Sequence, residues 1–175
     1  MGTYKEINGN LITLSRTGIF DVVSHGCNCL NQMGAGIAPQ MANEFGCNDF
    51  KMEGNEYRGD INKLGTIDWE PKWFEDNRWV TYPDEGGKWA THQLYVVNSY
   101  TQFKYGTNHT DGVSKPLDYD ALTLCMRKIN HEFKGKRIGL PQIGCGLAGG
   151  DWSVVKEIIQ TELKDCDVTV VIFKK

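Results

Sequence analysis

The sequence lacks the features of a membrane protein and of a protein that binds the nucleic-acid backbone. None of its apolar runs approaches the roughly 18 residues of a membrane-spanning helix. The polar start at residues 1–6 does not have the charged-then-apolar pattern of a secretion signal, so we expect a cytoplasmic protein with no membrane partner. With 19 basic and 22 acidic residues, the chain has no basic surplus to hold DNA or RNA. Polymeric nucleic acid is therefore not expected as a ligand in its own right.

The sequence also lacks internal repeats, low-complexity tracts and Pro/Ser-rich linkers. A chain of 175 residues with 40% hydrophobic residues can bury one core, whereas two independent domains would be cramped. We therefore predict a single domain over residues 1–175, and we expect a monomer. The six cysteines are expected to be reduced thiols, because a chain of this length does not depend on disulfides.

The spacing of cysteine and histidine does not favour a metal site. His25, Cys27 and Cys29 lie close together, but no second pair follows at the short intervals of structural zinc sites. In an extended strand, Cys27 and Cys29 would point to the same face, which favours packing. No metal and no cofactor are predicted.

The hydrophobic pattern alternates between strands and helices. Strands are predicted at residues 4–7, 19–24, 94–97, 137–141 and 168–173. Three helices are predicted from apolar periodicity: Ile37, Met41 and Phe45 before Gly46; Leu122, Cys125, Met126, Ile129 and Phe133 after the capping Asp118; and Trp152, Val155, Ile159 and Leu163. Residues 66–91 contain four of the five tryptophans, without a helical period, and are predicted to form strands or a hairpin. This alternation indicates an α/β sandwich with a largely parallel sheet covered on both faces.

Two glycine-containing loops follow predicted strands. The first includes Gly34 and Gly36, and the second covers residues 144–150. Backbone N–H groups at a helix start, with glycines that allow close approach, favour phosphate binding. The alternative for either loop alone is a tight turn. The Rossmann fingerprint does not fit, because Pro39 stands at its third glycine, and no Gly-Lys-Ser/Thr follows either loop.

Four motifs resemble those of macrodomains in order and spacing along nearly the whole chain. They are residues 9–11 (Gly-Asn-Leu), 24–29 (Ser-His-Gly-Cys-Asn-Cys), 33–38 (Met-Gly-Ala-Gly-Ile-Ala) and 140–147 (Leu-Pro-Gln-Ile-Gly-Cys-Gly-Leu). The likeness is to the branch with ADP-ribose-1″-phosphate phosphatases and the terminal ADP-ribose protein glycohydrolase. The resemblance implies a three-layer α/β/α sandwich with a mixed, largely parallel sheet of about six strands, and ADP-ribose or ADP-ribose-1″-phosphate as the ligand.

The resemblance also implies the binding residues. Asn10 would face the adenine, beside Leu11, and Phe103 or Tyr100 would stack near the adenine or a ribose. Asn28 and the first loop would hold the distal ribose and the diphosphate, and the second loop would close over the phosphates. The two loops contribute Gly34, Ala35, Gly36, Ile37, Gly144, Cys145, Gly146, Leu147 and Ala148.

The sequence departs from the glycohydrolases of this branch at two positions. Those enzymes use a lysine nucleophile at a strand end. The matching position in this chain falls near Asn98 or Ser99, and Lys104 lies too many residues after it to be the equivalent lysine. They also use an aspartate after Gly-Cys-Gly-Leu, where this chain has Ala148. A covalent lysine mechanism is therefore not expected, and hydrolysis would depend on a positioned water and backbone donors.

Two side chains are candidate catalysts. His25 is one, because the unperturbed pKa of a histidine suits proton transfer at neutral pH, and its alternative is a buried histidine bonded to the backbone. Asp151 could orient a water near the terminal phosphate, and its alternative is a helix N-cap. The predicted function is hydrolysis of ADP-ribose-1″-phosphate. The alternatives are removal of ADP-ribose from a protein or nucleic-acid acceptor, and a non-catalytic ADP-ribose reader.

Overall fold

The computed structural model describes residues 2–50, 58–75, 78–80 and 92–174. These residues form seven strands and four α-helices. In chain order they are β1 Tyr4–Asn8, α1 Leu11–Ser15, β2 Val22–Asn28, α2 Ala38–Phe45, β3 Ile67–Glu75, β4 Arg78–Val80, β5 His92–Gln102, α3 Tyr119–Glu132, β6 Arg137–Leu140, α4 Trp152–Glu162 and β7 Asp167–Ile172. Two short 3₁₀ turns occupy Cys47–Asp49 and Ile61–Lys63. In this part of the chain, no helix is long and apolar enough to cross a membrane.

The strands form one mixed sheet in the order β1-β7-β6-β2-β5-β3-β4. Its first five strands are parallel, whereas β3 runs antiparallel to both β5 and β4. The parallel strands need crossovers, which the helices supply. The carboxyl ends of β2, β5 and β6 therefore meet at one edge of the sheet.

Helices cover both faces of the sheet. On one face, Val22 and Val97 pack with the buried sides of α3 and α4, including Leu122 and Ile159. On the other face, the neighbouring strand residue Val23 packs with residues of α1 and α2. Successive strand residues thus serve opposite layers, as the period of two requires. The three-layer α/β/α sandwich is confirmed.

Most predicted elements are present, with shifted ends. Gly46 ends α2 in the left-handed conformation with φ 66°, and Asp118 caps α3 through a bond from the Ala121 N–H. The predicted strand over residues 19–24 begins instead at Val22 and continues to Asn28, so it includes the motif around His25. Part of the tryptophan-rich segment forms the β3–β4 hairpin, and its residues 76–77 and 81–91 lie outside the described residues.

Candidate ligand-binding site

A cavity of about 770 Å³ opens at the edge where β2, β5 and β6 end. Three segments surround it: the first glycine loop (residues 32–37), the second glycine loop (residues 144–150) with residues 141–143 before it, and the β5–α3 loop (residues 103–118). The ends of β2 and β5 form its floor. This is the position at which open parallel sheets bind ligands, and the volume suits a nucleotide-sized molecule.

The first glycine loop brings the start of α2 to the cavity. The N-cap residue of α2, Ile37, makes no side-chain capping bond. The other three helices, α1, α3 and α4, are capped by the side chains of Asn10, Asp118 and Asp151. In the described structure, the N–H groups of residues 34–37 have no hydrogen-bond partner in the protein. These donors, with the positive end of the helix dipole, favour an anion at this end of the cavity.

The second glycine loop presents further donors. Turns fold it back on itself: the Cys145 N–H donates to the Gln142 carbonyl, and the Gly149 N–H donates to the Gly146 carbonyl. Among the described residues, the N–H groups of Gly146, Leu147 and Ala148 find no acceptor in the protein. All three residues line the cavity, so both glycine loops bring backbone N–H groups without a protein partner to residues of its lining.

The glycines of these loops serve two different purposes. A Cβ at Gly34, Gly36 or Gly146 would meet no atom within 4 Å. A Cβ at Gly150 would lie 2.4 Å from Leu117 Cδ2 and 2.7 Å from the Gly144 carbonyl oxygen. The first group therefore leaves space beside the cavity, whereas Gly150 allows the β5–α3 loop to pack closely.

Asn28 lines the cavity but uses most of its side chain to shape the first loop. Its Oδ1 accepts bonds from the N–H groups of Leu30 and Gln32, both at 3.1 Å. Its Nδ2 donates to the Gln32 carbonyl at 2.9 Å. One amide hydrogen remains for a ligand, so the main contribution of Asn28 is to hold the loop in place.

His25 lies on β2 with its side chain fully buried, and it does not line the cavity. Its Nε2 lies 2.8 Å from Asn98 Oδ1. Since Asn98 Nδ2 donates to Asp68 and to the Cys47 carbonyl, Asn98 Oδ1 is the acceptor and His25 Nε2 carries the proton. Burial lowers the pKa of His25 to about 4, so the imidazole is neutral at pH 7. The alternative of a buried histidine describes this environment, with a side-chain amide as the partner in place of the backbone.

Cys27 lines the cavity beside this histidine, at 3.4 Å from Sγ to Nε2. A Cys-His-Asn set could indicate a thiol nucleophile. However, the nearer imidazole nitrogen, Nε2, is the one that donates to Asn98, and the unprotonated Nδ1 lies 3.9 Å from the Cys27 sulfur. Burial also raises the pKa of Cys27 well above its ordinary value. Cys27 is therefore an uncharged thiol of the cavity floor at neutral pH, which does not favour a nucleophilic role.

Asp151 caps α4 and lies outside the cavity lining. Its Oδ1 accepts bonds from the Ser153 N–H at 2.8 Å and from Ser153 Oγ at 2.6 Å. These bonds lower its pKa, so the carboxylate is ionised. The geometry matches the N-cap alternative.

Four other predicted ligand residues also have structural partners. Asn10 caps α1 through Oδ1 and the Thr13 N–H, and Leu11 is buried in the core below it. Phe103 packs against the buried cluster of Cys27, Cys29 and Tyr100, and Cys145 packs against the core on the α3 and α4 side. None of these four lies among the described residues that line the cavity, whereas Asn28 and the other predicted loop residues do.

Several residues of the cavity lining were not among the predicted ligand contacts. Thr101 and Gln102 come from the end of β5, and Tyr105 and Lys115 come from the β5–α3 loop. The polar run over residues 98–103, which follows the predicted strand at 94–97, indicates a strand end that opens into a site, and it includes the first two of these residues. The Thr101 hydroxyl is buried, and it finds no hydrogen-bond partner among the described residues. Within the described chain, no group of three or more His, Cys, Asp or Glu side chains could hold a metal ion.

Comparisons with known proteins agree with this architecture. No protein-family model matches the chain. An uncharacterized 17.5 kDa protein from the tk-vs intergenic region of Enterobacteria phage T4 is 29% identical over 174 residues, which are 95% of this chain and 94% of that protein. The macrodomain of Thermus aquaticus DarG superposes with a TM-score of 0.61 at 21% identity, over 98% of this chain and 99% of that chain.

A further solved structure contains a ligand. It is Thermosipho africanus DarTG in complex with ADP-ribose, with a TM-score of 0.67 at 15% identity, over 98% of this chain and 42% of that chain. Together with the sheet order and the two glycine loops, these likenesses show that the chain has the macrodomain fold.

Proposed function

We propose that this chain binds ADP-ribose in the cavity and hydrolyses ADP-ribose-1″-phosphate to ADP-ribose and phosphate. The observation that carries the proposal is the start of α2, which has no side-chain cap and lines the same cavity of about 770 Å³ as the second glycine loop. The N–H groups of the two loops that have no partner among the described residues would donate to the oxygens of a bound diphosphate. The ADP-ribose bound by DarTG, which shares the fold, supports this choice of ligand.

Hydrolysis in this cavity would depend on electrostatic stabilisation. No carboxylate or imidazole side chain is found among the described residues of its lining. Backbone donors aimed at the phosphate oxygens can stabilise charge that develops as a water attacks, and one such donor contributes roughly a hundredfold to a thousandfold in rate. The first and second loops would supply these donors.

A reader module that binds ADP-ribose without turnover is the second candidate. The observation that favours it is the placement of both candidate catalysts outside the lining, with His25 fully buried and Asp151 bonded to Ser153. The loops are sufficient for binding alone, and the fold is compatible with either activity.

The test is phosphate release from ADP-ribose-1″-phosphate in excess chelator, together with ADP-ribose affinity by calorimetry. We expect wild type to bind and to turn over, and D151N to keep turnover, because asparagine also caps helices. Loss of turnover in D151N with binding intact would instead assign Asp151 a catalytic role. Tight binding of ADP-ribose without phosphate release would contradict the phosphatase activity. In that case, hydrolysis of ADP-ribosylated protein or DNA would identify an ADP-ribosyl hydrolase, and its absence would favour the reader module.

A further inference from the structure

The lining of the cavity contains one charged side chain among the described residues, that of Lys115. Every other lining residue there is apolar, neutral polar or glycine. In this part of the chain Lys115 has no ion-pair partner, and it is exposed to solvent. A single uncompensated cation beside a mostly neutral cavity favours an anionic ligand.

The aliphatic stem of Lys115 is held against the second glycine loop. A Cβ built on Gly149 would lie 2.3 Å from Lys115 Cγ, 2.5 Å from its Cβ and 2.9 Å from its Cδ. Gly149 also has φ 73°, a conformation that favours glycine. Three successive carbons of the stem therefore lie over the Gly149 backbone, which restricts the directions available to the ammonium group.

The residues after Lys115 fix this segment to the same loop. The Leu117 N–H donates to the Ala148 carbonyl at 3.1 Å. The Leu117 side chain fills the space that a Cβ on Gly144 or Gly150 would take, at 2.8 Å and 2.4 Å. The loop that carries the free N–H donors and the segment that carries the cation thus form one packed unit.

We propose that Lys115 contacts a phosphate group of the ligand and gives the cavity its selectivity for phosphorylated molecules. The proposal rests on the binding part of the proposed function and adds a side-chain cation to the backbone donors. Lysine binds phosphate as a point charge, so it does not need the fixed geometry of an arginine fork. Its ammonium group would meet phosphate oxygens at the second glycine loop, opposite the start of α2.

The alternative is that Lys115 only covers Gly149 with its stem, as long cationic side chains often do. K115M separates the two roles, because methionine keeps an unbranched apolar stem and removes the charge. K134M is the matched control, since Lys134 is exposed after α3, at the opposite end of the sheet, and its loss changes the net charge equally. K115R restores the charge on a similar stem.

The experiment measures the affinities of ADP-ribose, ADP and inorganic pyrophosphate by calorimetry at low and high salt, with adenosine as the neutral probe. We expect K115M to weaken binding of the phosphorylated probes about tenfold, as for one charged contact, and to reduce its salt dependence. Adenosine affinity should not change, and K115R and K134M should resemble wild type. Unfolding midpoints of all variants establish that the fold is kept.

Equal affinities of K115M and K134M for the phosphorylated probes would overturn the proposal. Equal losses for adenosine and ADP in K115M would also overturn it, because they would indicate a packing role. The phosphatase proposal can be contradicted without affecting the Lys115 proposal. If wild type binds ADP-ribose but releases no phosphate, the affinities of the Lys115 variants still test the role of Lys115. Wild type that binds no phosphorylated probe would contradict both.

Discussion

Beneath the first glycine loop, polar side chains from three strands form a buried hydrogen-bond network. His25 from β2 bonds to Asn98 from β5, and Asn98 bonds to Asp68 from β3. Tyr100 donates to the other oxygen of Asp68 at 2.6 Å, and the Lys63 ammonium lies 4.6 Å from the centre of the Tyr100 ring. Since buried polar groups are costly when unpaired, this set fixes the relative positions of the strands whose ends form the cavity floor.

The buried state of His25 predicts a specific dependence of stability on pH. Its folded pKa of about 4 is below the unfolded value of 6.5, so the unfolded chain binds more protons between these values. The stabilisation is complete above about pH 6.5 and is lost as the pH falls through 4, by about 3–4 kcal/mol in total. We expect H25Q to show a shallower fall in the free energy of unfolding, measured by urea titration across this range.

His92 provides the internal comparison for this measurement. Burial also lowers its pKa, so it contributes a fall of the same sign in both proteins. The difference between wild type and H25Q therefore isolates His25. Parallel curves for the two proteins would mean that His25 is not held neutral in the folded chain.

At the scale of elements, the sequence predicted helices better than it predicted the site. Asp118 and Asp151 cap their helices, and Gly46 ends α2, because capping and left-handed stops are local requirements of residue type. Helix α1 was not predicted, since its five residues are too few for a period to show.

The burial of the residues at the end of β5 could not be predicted from the sequence. Asn98 and Thr101 have the composition of a loop, yet both are fully buried within the strand. Asn98 is buried with a partner from a distant part of the chain, Asp68, and local sequence patterns do not reveal such a pairing. Lys115 was missed in the same way, because only the fold brings it to the second glycine loop.

Substitution can distinguish the glycines that leave space beside the cavity from those that allow close packing. G34V should leave the free energy of unfolding within about 0.5 kcal/mol of wild type, because a Cβ at this position has no atom within 4 Å. It should nevertheless weaken ADP-ribose binding by at least about tenfold, since the added methyl groups occupy ligand space and one tenfold change needs only about 1.4 kcal/mol. Calorimetry and urea unfolding on the same samples measure both effects.

G150V is the matched counterpart on the second glycine loop. Its Cβ would collide with Leu117 and with the Gly144 carbonyl oxygen, so we expect a loss of about 1–3 kcal/mol in stability. A G150V protein as stable as wild type would contradict the close packing of the β5–α3 loop. Normal ADP-ribose affinity in G34V would place the ligand elsewhere.

For the molecule as a whole, the parallel sheet brings distant segments to one edge. The first loop, the second loop and Lys115 are far apart in sequence, but they surround one cavity because β2, β5 and β6 end together. A ligand that spans them binds only the folded chain. Its binding free energy is therefore added to the free energy of unfolding.

This linkage gives a prediction for the whole protein. ADP-ribose at a hundred times its Kd should stabilise the fold by about 2.7 kcal/mol, which corresponds to a rise in Tm of about 5–10 °C for a chain of this size. At the same ligand concentration, G34V should show a clearly smaller rise, because its weaker affinity lowers the ratio of ligand to Kd. Scanning calorimetry measures both shifts. An equal rise in wild type and G34V would mean that the stabilising ligand does not contact the first glycine loop, and the assignment of the cavity would then be wrong.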